Sequence, residues 1–135
     1  MNSAGVMTPP RGSLTSDNYD LQWGTNVLGH YIFTETLLPT LISTAAKHFA
    51  GTVRIITTSS SAHTMAIQGG VKMDDLTQGP NSKAFELYGQ SKMGNIIMSN
   101  YWAKKLESNG IICISLVRPS FLLSLSWIGL MNRRL

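Results

Sequence analysis

The stretch that most constrains the fold is residues 111–117, a near-continuous apolar run that follows Asn109-Gly110. A strand with apolar side chains in both directions is typical of a parallel sheet that is covered on both faces. Residues 52–58 are rich in β-branched side chains, follow Gly51, and predict a second strand. Because parallel strands need a crossover connection, a helix is expected between these two segments.

Two long helices are predicted around the first strand. The first starts at a cap supplied by Ser16 or Asp17 and ends near Ala46. The second covers residues 83–108, and Asn109-Gly110 supplies its stop. Apolar residues recur at roughly helical intervals in both: Tyr19, Trp23, Val27, Tyr31, Leu38 and Leu41 in the first, and Phe85, Tyr88, Ile96, Tyr101 and Trp102 in the second.

Three residues, Gly24, Gly29 and Pro39, are expected to weaken the first helix locally. Residues 62–82, which contain several glycines and a proline, predict a long loop of the kind that usually serves function. The order helix, strand, helix, strand predicts the α/β class with a right-handed crossover.

Composition narrows the class of protein. A chain of 135 residues with 43% hydrophobic and 13% charged residues fits one globular domain. The net charge is +4, but the basic residues are spread along the chain without a stripe of interleaved aromatics, which argues against nucleic-acid binding. No signal peptide or transmembrane span is visible, so the sequence predicts a soluble, cytoplasmic protein.

Tyr88 and Lys92 carry the clearest chemical signal. They lie four residues apart in the second predicted helix, so their side chains fall on one face. A free phenol loses its proton near pH ~10, which is too high for efficient transfer to an alkoxide at neutral pH. A fixed ammonium one turn away stabilises the phenolate and indicates an acid/base pair. The pair by itself leaves a solvated helix face as the alternative.

Polar residues follow both predicted strands: Ser59-Ser60-Ser61 after the first, and Arg118-Pro119-Ser120 after the second. In open α/β sheets, ligands bind at the carboxyl ends of the strands. We therefore expect these segments and the Tyr88 helix to line one crevice.

Five motifs follow one another along the chain. They are Asn2-Ser3-Ala4-Gly5, the segment Asn26-Val27-Leu28-Gly29-His30, Ser60 within Ser59-Ser60-Ser61-Ala62-His63, the pair Tyr88 and Lys92, and Pro119. In this order they resemble the short-chain dehydrogenase/reductase family, closest to its retinol-dehydrogenase-like, fungal-type branch. The resemblance covers residues 1–124 as a partial catalytic domain and leaves residues 125–135 as a divergent tail. It implies a partial Rossmann-like, doubly wound parallel sheet that corresponds to the C-terminal half of the family's fold.

The resemblance implies an NAD(P)-dependent oxidoreductase that interconverts a hydroxyl and a carbonyl of a small-molecule alcohol or ketone by hydride transfer. Tyr88 is then the general acid/base, and Lys92 stabilises its phenolate and binds the nicotinamide ribose. Ser60 holds the substrate oxygen, and Asn26 positions a water that links Lys92 to solvent. The implied cofactor contacts are Asn2, Ala4, Gly5, Tyr88, Lys92, Pro119, Leu122 and Ser124. The cofactor is NADP or NAD.

The chain departs from the family pattern at Ser3, Ser120 and Ser124, of which Ser120 matters most because a glycine allows closer backbone approach to the nicotinamide. The family's first strand and its Thr-Gly-x-x-x-Gly-x-Gly turn would precede residue 1, so the N-terminal βαβ cofactor-binding half is expected to be missing. Two alternatives follow: a truncated enzyme, or a non-catalytic remnant that acts as an interaction module. Homo-oligomers are expected to form through the two long helices.

The remaining reactive side chains predict no further site. His30, His48 and His63 have no carboxylate or cysteine partners at ligand spacing, so they are assigned to packing or the surface and no metal is expected. Cys113 is interpreted as a small core residue. His63 follows Ser60 by three residues, but no Gly-x-Ser-x-Gly elbow is present, which argues against a serine hydrolase.

Overall fold

The computed structural model describes residues 1–77 and 83–117. One long helix, α1, is continuous through α-helical, π-helical and again α-helical geometry. In chain order the elements are α1 (Leu21–Trp23, Gly24–Leu28 as a π-turn, and Gly29–Ala45), β1 (Arg54–Ser59), a 3-10 turn (Ser61–Met65), α2 (Met73–Thr77), α3 (Ala84–Lys105), a second 3-10 turn (Glu107–Asn109) and β2 (Ile112–Val117). Both predicted strands and both predicted long helices are confirmed.

The two strands pair in parallel, with Cα partners from Arg54 and Ile112 to Ser59 and Val117. Helix α3 lies between them in the chain, so β1, α3 and β2 form a βαβ unit and the α/β class is confirmed. Asn2 forms a parallel bridge to Thr57 on the free edge of β1. Its N–H donates to the Ile56 carbonyl (2.7 Å), and the Thr58 N–H donates to its carbonyl (2.9 Å). The N-terminal segment is thereby held beside the end of β1.

Two apolar clusters form the core, of which one packs the helices on one face of the sheet and the other joins the helices to one another. Trp23 and Trp102 are both buried, as expected for core residues, and the Trp102 ring stacks on Tyr31 at a centroid distance of 5.4 Å. Large aromatic surfaces of this kind dominate core energetics. One cluster contains Ala45, Ile55, Met98, Trp102, Leu106 and Ile111, and the other contains Trp23, Val27, Leu76 and Leu87.

The start of α1 differs from the prediction. Its cap is Asp20, whose carboxylate accepts from the Trp23 N–H (2.9 Å), rather than Ser16 or Asp17. The reason is a tight turn before the helix, in which Leu14 and Asp20 form an antiparallel bridge. The helix continues through all three expected weak points. Its π-turn spans Gly24–Leu28 and ends just before the second glycine, whereas Pro39 lies within regular helix.

The expected loop over residues 62–82 was wrong for much of its described part, which contains the turn Ser61–Met65 and helix α2. Leu76 in α2 is fully buried, and its carbonyl accepts from the Asp20 N–H (2.9 Å). This contact attaches α2 to the start of α1. Residues 78–82 lie outside the described ranges.

The expectation that β2 is covered on both faces was also wrong. Ile112 is 42% exposed and Ile114 is 39% exposed, because the helices of the described ranges pack on the other face of the sheet. Cys113 is only half-buried, against the expectation of a buried core residue, and partial burial raises the pKa of its thiol.

The predicted buried face of α3 was partly wrong, because Phe85 and Tyr101 are exposed. Within residues 1–77 and 83–117, no helix is both long and apolar enough to cross a membrane. The predicted boundary between residues 124 and 125 lies outside the described residues.

Candidate active site

A cleft of about 870 Å³ opens at the carboxyl end of β1. Three parts of the chain form its walls: the N-terminal segment, the residues that leave β1, and the first turns of α3. The structure therefore brings together Gly5, Ser60, Tyr88 and Lys92. The other strand end of the predicted crevice, Arg118-Pro119-Ser120, lies outside the described residues. The lining residues are Ser3, Gly5, Val6, Met7, Thr58, Ser59, Ser60, Ser61, Ala62, Thr64, Met65, Phe85, Tyr88 and Lys92.

Lys92 provides a buried cation at the base of this cleft. Its side chain is only 6% exposed, and its Nζ lies 5.5 Å from the centroid of the Tyr88 ring. Burial lowers the pKa of Lys92 below its ordinary value. Within the described residues, Nζ donates one hydrogen bond, to the Thr58 carbonyl (3.2 Å). An ammonium has three donors, so it retains donors for a hydroxyl-bearing ligand in the cleft.

The three consecutive serines have different surroundings. Ser59 is buried, and its hydroxyl donates to the Lys92 carbonyl (2.7 Å), so it is committed to holding α3 on β1. The Ser60 hydroxyl accepts from the Ala62 N–H (3.2 Å) and keeps its own proton to donate. Ser61 is exposed at the rim. Of the first two hydroxyls, that of Ser60 is thus the one that can still donate within the cleft.

His63 lies next to Ser60 without activating it. Its Nδ1 donates to the Ser60 carbonyl (2.6 Å). A serine nucleophile needs its base at the hydroxyl. This contact supports the prediction that the pair does not perform serine-hydrolase chemistry.

Asn26 is fully buried in the π-turn of α1. Its Oδ1 accepts from the Val6 N–H (2.8 Å), and its Nδ2 donates to the Val6 carbonyl (3.0 Å) and to Ser91 Oγ (3.0 Å). π-turns of this kind often occur at functional sites. Because both amide donors are used, Asn26 holds the N-terminal segment against α3. The water that Asn26 is predicted to position would therefore have to bind atoms other than its Nδ2.

The predicted cofactor contacts at the N-terminus have unequal positions. Gly5 lines the cleft, and a Cβ built on it would lie 3.8 Å from Lys92 Nζ. Ala4 is exposed outside the lining. The Asn2 side chain is buried away from the cleft and donates to Thr34 Oγ1 (2.9 Å). The other predicted contacts, Pro119, Leu122 and Ser124, lie outside the described residues.

Two residues of the site were missed by the sequence reasoning. A Cβ on Gly89 would lie 2.7 Å from the Ala62 carbonyl oxygen, so this glycine lets the turn Ser61–Met65 lie directly against α3. Asn95 donates to the Thr58 carbonyl (3.0 Å), the same oxygen that binds Lys92. A glycine within a helix is a visible signal of close approach. An asparagine near Lys92 carries no such signal.

A second, apolar groove of about 590 Å³ runs between α1 and α3. Its Tyr101 also has an ammonium beside it, since Lys105 Nζ lies 5.5 Å from the ring centroid, but the Lys105 side chain is 39% exposed. The cleft is the candidate active site because the ammonium beside its phenol, that of Lys92, is buried. Within residues 1–77 and 83–117, no cluster of three or more metal-ligating side chains is present. The groove is lined by Trp23, Val27, Leu28, Tyr31, Val71, Met73, Gly94, Ile97, Met98 and Tyr101.

Curated relatives match most of this chain, although no protein-family model matches it. The uncharacterized oxidoreductase C736.13 of Schizosaccharomyces pombe is 46% identical over 118 residues, which is 86% of this chain and 34% of the relative. The short-chain dehydrogenase/reductase pkfC of Emericella nidulans is 38% identical over 85% of this chain and 38% of its own length. The chloroplastic short-chain dehydrogenase TIC 32 A of Brassica napus is 34% identical over 90% of this chain and 38% of its own length.

A solved structure has the same arrangement of elements. It is a crystal structure of an uncharacterized protein from Mycobacterium paratuberculosis, with a TM-score of 0.68 and 30% sequence identity. The match covers 84% of this chain and 38% of that protein. The chain thus spans roughly a third of the length of the proteins that it matches.

Proposed function

The chain belongs to the short-chain dehydrogenase/reductase family, and we propose that it carries the proton-transfer site of an NAD(P)-dependent oxidoreductase. The family includes relatives named as oxidoreductases, and this supports a general oxidoreductase function. One observation carries the finer proposal: the buried Lys92 ammonium lies beside the Tyr88 ring in the cleft at the end of β1. Because the chain spans 34–38% of these relatives, the whole-protein activity is part of the proposal.

In the proposed reaction, Tyr88 moves a proton at the substrate oxygen. During reduction the phenol donates its proton to the oxygen of the carbonyl, and during oxidation the phenolate takes the hydroxyl proton back. The Lys92 ammonium stabilises the phenolate electrostatically, and its location in a poorly solvated position strengthens that effect. The Ser60 hydroxyl donates a hydrogen bond to the same substrate oxygen. Asn26 keeps α1, α3 and the N-terminal segment in register.

The cleft also fits part of a nicotinamide cofactor. The unused donors of Lys92 suit ribose hydroxyls, and the absence of a Cβ at Gly5 leaves room beside them. When bound, the nicotinamide supplies or accepts the hydride. Asn2, Ala4, Pro119, Leu122 and Ser124 remain predicted contacts of the cofactor. No residue of the chain favours NADP over NAD.

The proposed substrate is a small alcohol or ketone of moderate polarity. Met7, Met65 and Phe85 line the cleft with apolar surface near Tyr88, and such walls suit an apolar substrate body with one polar group. The predicted cytoplasmic location of this chain stays a prediction. One relative is chloroplastic according to its own name.

Turnover by Y88F tests the proposal in a form of the protein that includes the family's N-terminal cofactor-binding half and is active as wild type, with Y101F as the matched control on the same helix. Reduction of a panel of aldehydes and ketones is measured with NADPH and with NADH. Loss of a positioned acid/base is expected to lower turnover by about 10²–10⁴-fold. Tyr101 lies outside the cleft, so the turnover of Y101F is expected to match that of the wild type. Equal turnover in Y88F and wild type would reject the assigned role.

Cofactor affinity provides a separate measurement. We expect the 135-residue chain to bind NADPH more weakly than micromolar, because its sequence contains no glycine-rich pyrophosphate turn. Fluorescence titration with NADPH measures this affinity, and micromolar binding would contradict the expectation.

A second candidate function is an interaction or oligomerisation module. Exposed apolar residues favour it: Ile97 and Tyr101 border the apolar groove, and Ile112 and Ile114 project from the outer face of β2. Sedimentation velocity over a concentration series tests it. Association through the helices is expected to be lost in I97K and kept in I114K, whereas association through the sheet reverses this pattern. Sedimentation that does not depend on concentration would reject the module.

A further inference from the structure

A buried polar stripe runs along α1 at intervals of four residues: Asn26, His30 and Thr34. The two outer residues are hydrogen-bonded, Asn26 to Ser91 (3.0 Å) and Thr34 to Asn2 (2.9 Å). His30 lies between them and is only 7% exposed, yet neither ring nitrogen has a hydrogen-bond partner within the described residues. Burial of an unpaired polar ring is unfavourable, so this position requires an explanation.

Asn95 of α3 faces His30. The Asn95 side chain and the Asn26 carbonyl are close enough to favour protonation of the imidazole, although burial outweighs them. Asn95 is fully buried and donates to the Thr58 carbonyl (3.0 Å), while its Oδ1 has no partner within the described residues. The same Thr58 oxygen accepts from Lys92 Nζ (3.2 Å). A short chain of contacts therefore leads from His30 to the cation of the site.

Hydroxyl groups of the sheet add to this polar interior. Thr57 and Ser115 are Cα partners in β1 and β2, and both hydroxyls are buried without a partner within the described residues. Thr57 lies on the same face of β1 as Ser59, whose hydroxyl contacts α3 at Lys92. These hydroxyls consequently point toward the helices. Within the described part of the chain, they add two unpaired hydroxyls to the buried polar atoms of the interior, which also include Asn95 Oδ1 and the imidazole nitrogens.

The charged side chain that acts on His30 is the Lys92 ammonium. Burial first, and this cation second, lower the pKa of His30 below its ordinary value of 6.5. The ring is therefore neutral at neutral pH, with one nitrogen that donates and one that accepts.

We propose that His30 is a positioning residue: its neutral imidazole, which faces the Asn95 side chain, holds Asn95 against the Thr58 carbonyl and so fixes the Lys92 ammonium beside Tyr88. The importance of this link for turnover rests on the proposed function, whereas the link itself does not. The link can therefore be measured without a bound cofactor.

Side-chain NMR of the 135-residue chain tests the link independently of activity. The variants are H30Q, which can still hydrogen-bond Asn95, and H30L, which cannot. H48Q is the control because His48 is exposed. The Asn95 side-chain amide protons are expected to exchange at least about fivefold faster in H30L, the effect of one lost buried hydrogen bond, and near the wild-type rate in H30Q and H48Q.

The pH dependence separates positioning from simple packing. In the wild type, the protection of the Asn95 amide protons, taken relative to their intrinsic exchange rate at each pH, is expected to fall as His30 becomes protonated, with one shared midpoint below pH 6.5. This step is expected to vanish in H30Q. A His30 midpoint at or above 6.5 would overturn the proposal, as would slow Asn95 exchange in folded H30L. If the wild type lacks turnover but these NMR results hold, the proposed function fails and the positioning link stands.

Discussion

Helix α3 buries polar side chains in one region and exposes large apolar side chains in another. Polar or small residues are buried where the helix meets β1, α1 and the turn Ser61–Met65, whereas large hydrophobic residues are exposed beside the apolar groove. The buried polar or small residues include Gly89, Ser91, Lys92, Asn95 and Ser99, the buried apolar residues are Leu87, Met98 and Trp102, and the exposed apolar residues include Ile97 and Tyr101. Burial in this helix therefore does not follow hydrophobicity alone.

Hydrogen bonding explains how the polar face tolerates burial. Ser59 donates to the Lys92 carbonyl, Asn95 donates to the Thr58 carbonyl, and Asn26 donates to Ser91. Buried polar groups are acceptable when they are paired, and a paired network has a unique geometry. This face defines the site, while the apolar face leaves surface for association.

The largest expected effect on stability is at Gly89. A methyl group in G89A would meet the backbone of the turn Ser61–Met65, so the free energy of unfolding should fall by about 1–3 kcal/mol. Gly29 is the matched control, because it is also helical and a Cβ there would make only ordinary contact, 3.4 Å from the Gly24 carbonyl. G29A should raise the free energy of unfolding by about 0.5–1 kcal/mol. Urea denaturation of both variants measures the difference, and similar losses in both would contradict the close approach at Gly89.

The next effect concerns the polar network. Ser91 Oγ donates to the Tyr88 carbonyl (2.8 Å) and accepts from Asn26, so S91A leaves a buried amide donor unpaired. The free energy of unfolding should fall by about 1–2 kcal/mol. S43A removes an exposed helical hydroxyl and should change it by less than about 0.5 kcal/mol. Thermal and urea unfolding provide the measurement, and a neutral S91A would indicate that the network contributes little.

Lys92 tests the polar face through pH. Its pKa is lowered in the folded state, so the unfolded state binds more protons in the window just below the ordinary pKa of 10.5. The free energy of unfolding should therefore rise with pH through that window and reach its full value above 10.5. K92M should remove this rise and stabilise the fold at pH 7 by about 1 kcal/mol, since a buried charge is removed. Lys104 is an exposed lysine of the same helix, so K104M should still show the rise of the free energy of unfolding with pH. If K104M loses that rise, Lys92 is not its source.

The smallest effect is expected on the apolar face. I97S replaces an exposed side chain and should change the free energy of unfolding by less than about 0.5 kcal/mol at low protein concentration. Denaturation at two concentrations distinguishes the folding of one chain from association. A loss above about 1 kcal/mol in the dilute sample would mean that this face is covered within a single chain.

Much of the site could be predicted from sequence because its signals are local. The spacing of Tyr88 and Lys92 places both side chains on one helical face, and the serines directly follow a strand. Among Ser59, Ser60 and Ser61, only the resemblance to the family singled out Ser60, since three adjacent hydroxyls look alike until their partners are known. The roles of Gly89 and Asn95 depend on atoms that are distant in the chain, the Ala62 and Thr58 carbonyls.

The sequence by itself determined the βαβ order, the two long helices and the Tyr88–Lys92 pair, because backbone propensity and periodicity act over a few residues. Only the tertiary structure decided the Asp20 cap, the exposed side of β2 and the polar interior around His30. These features arise where segments distant in sequence compete for the same space and the same hydrogen-bond partners. No local pattern encodes the result of that competition.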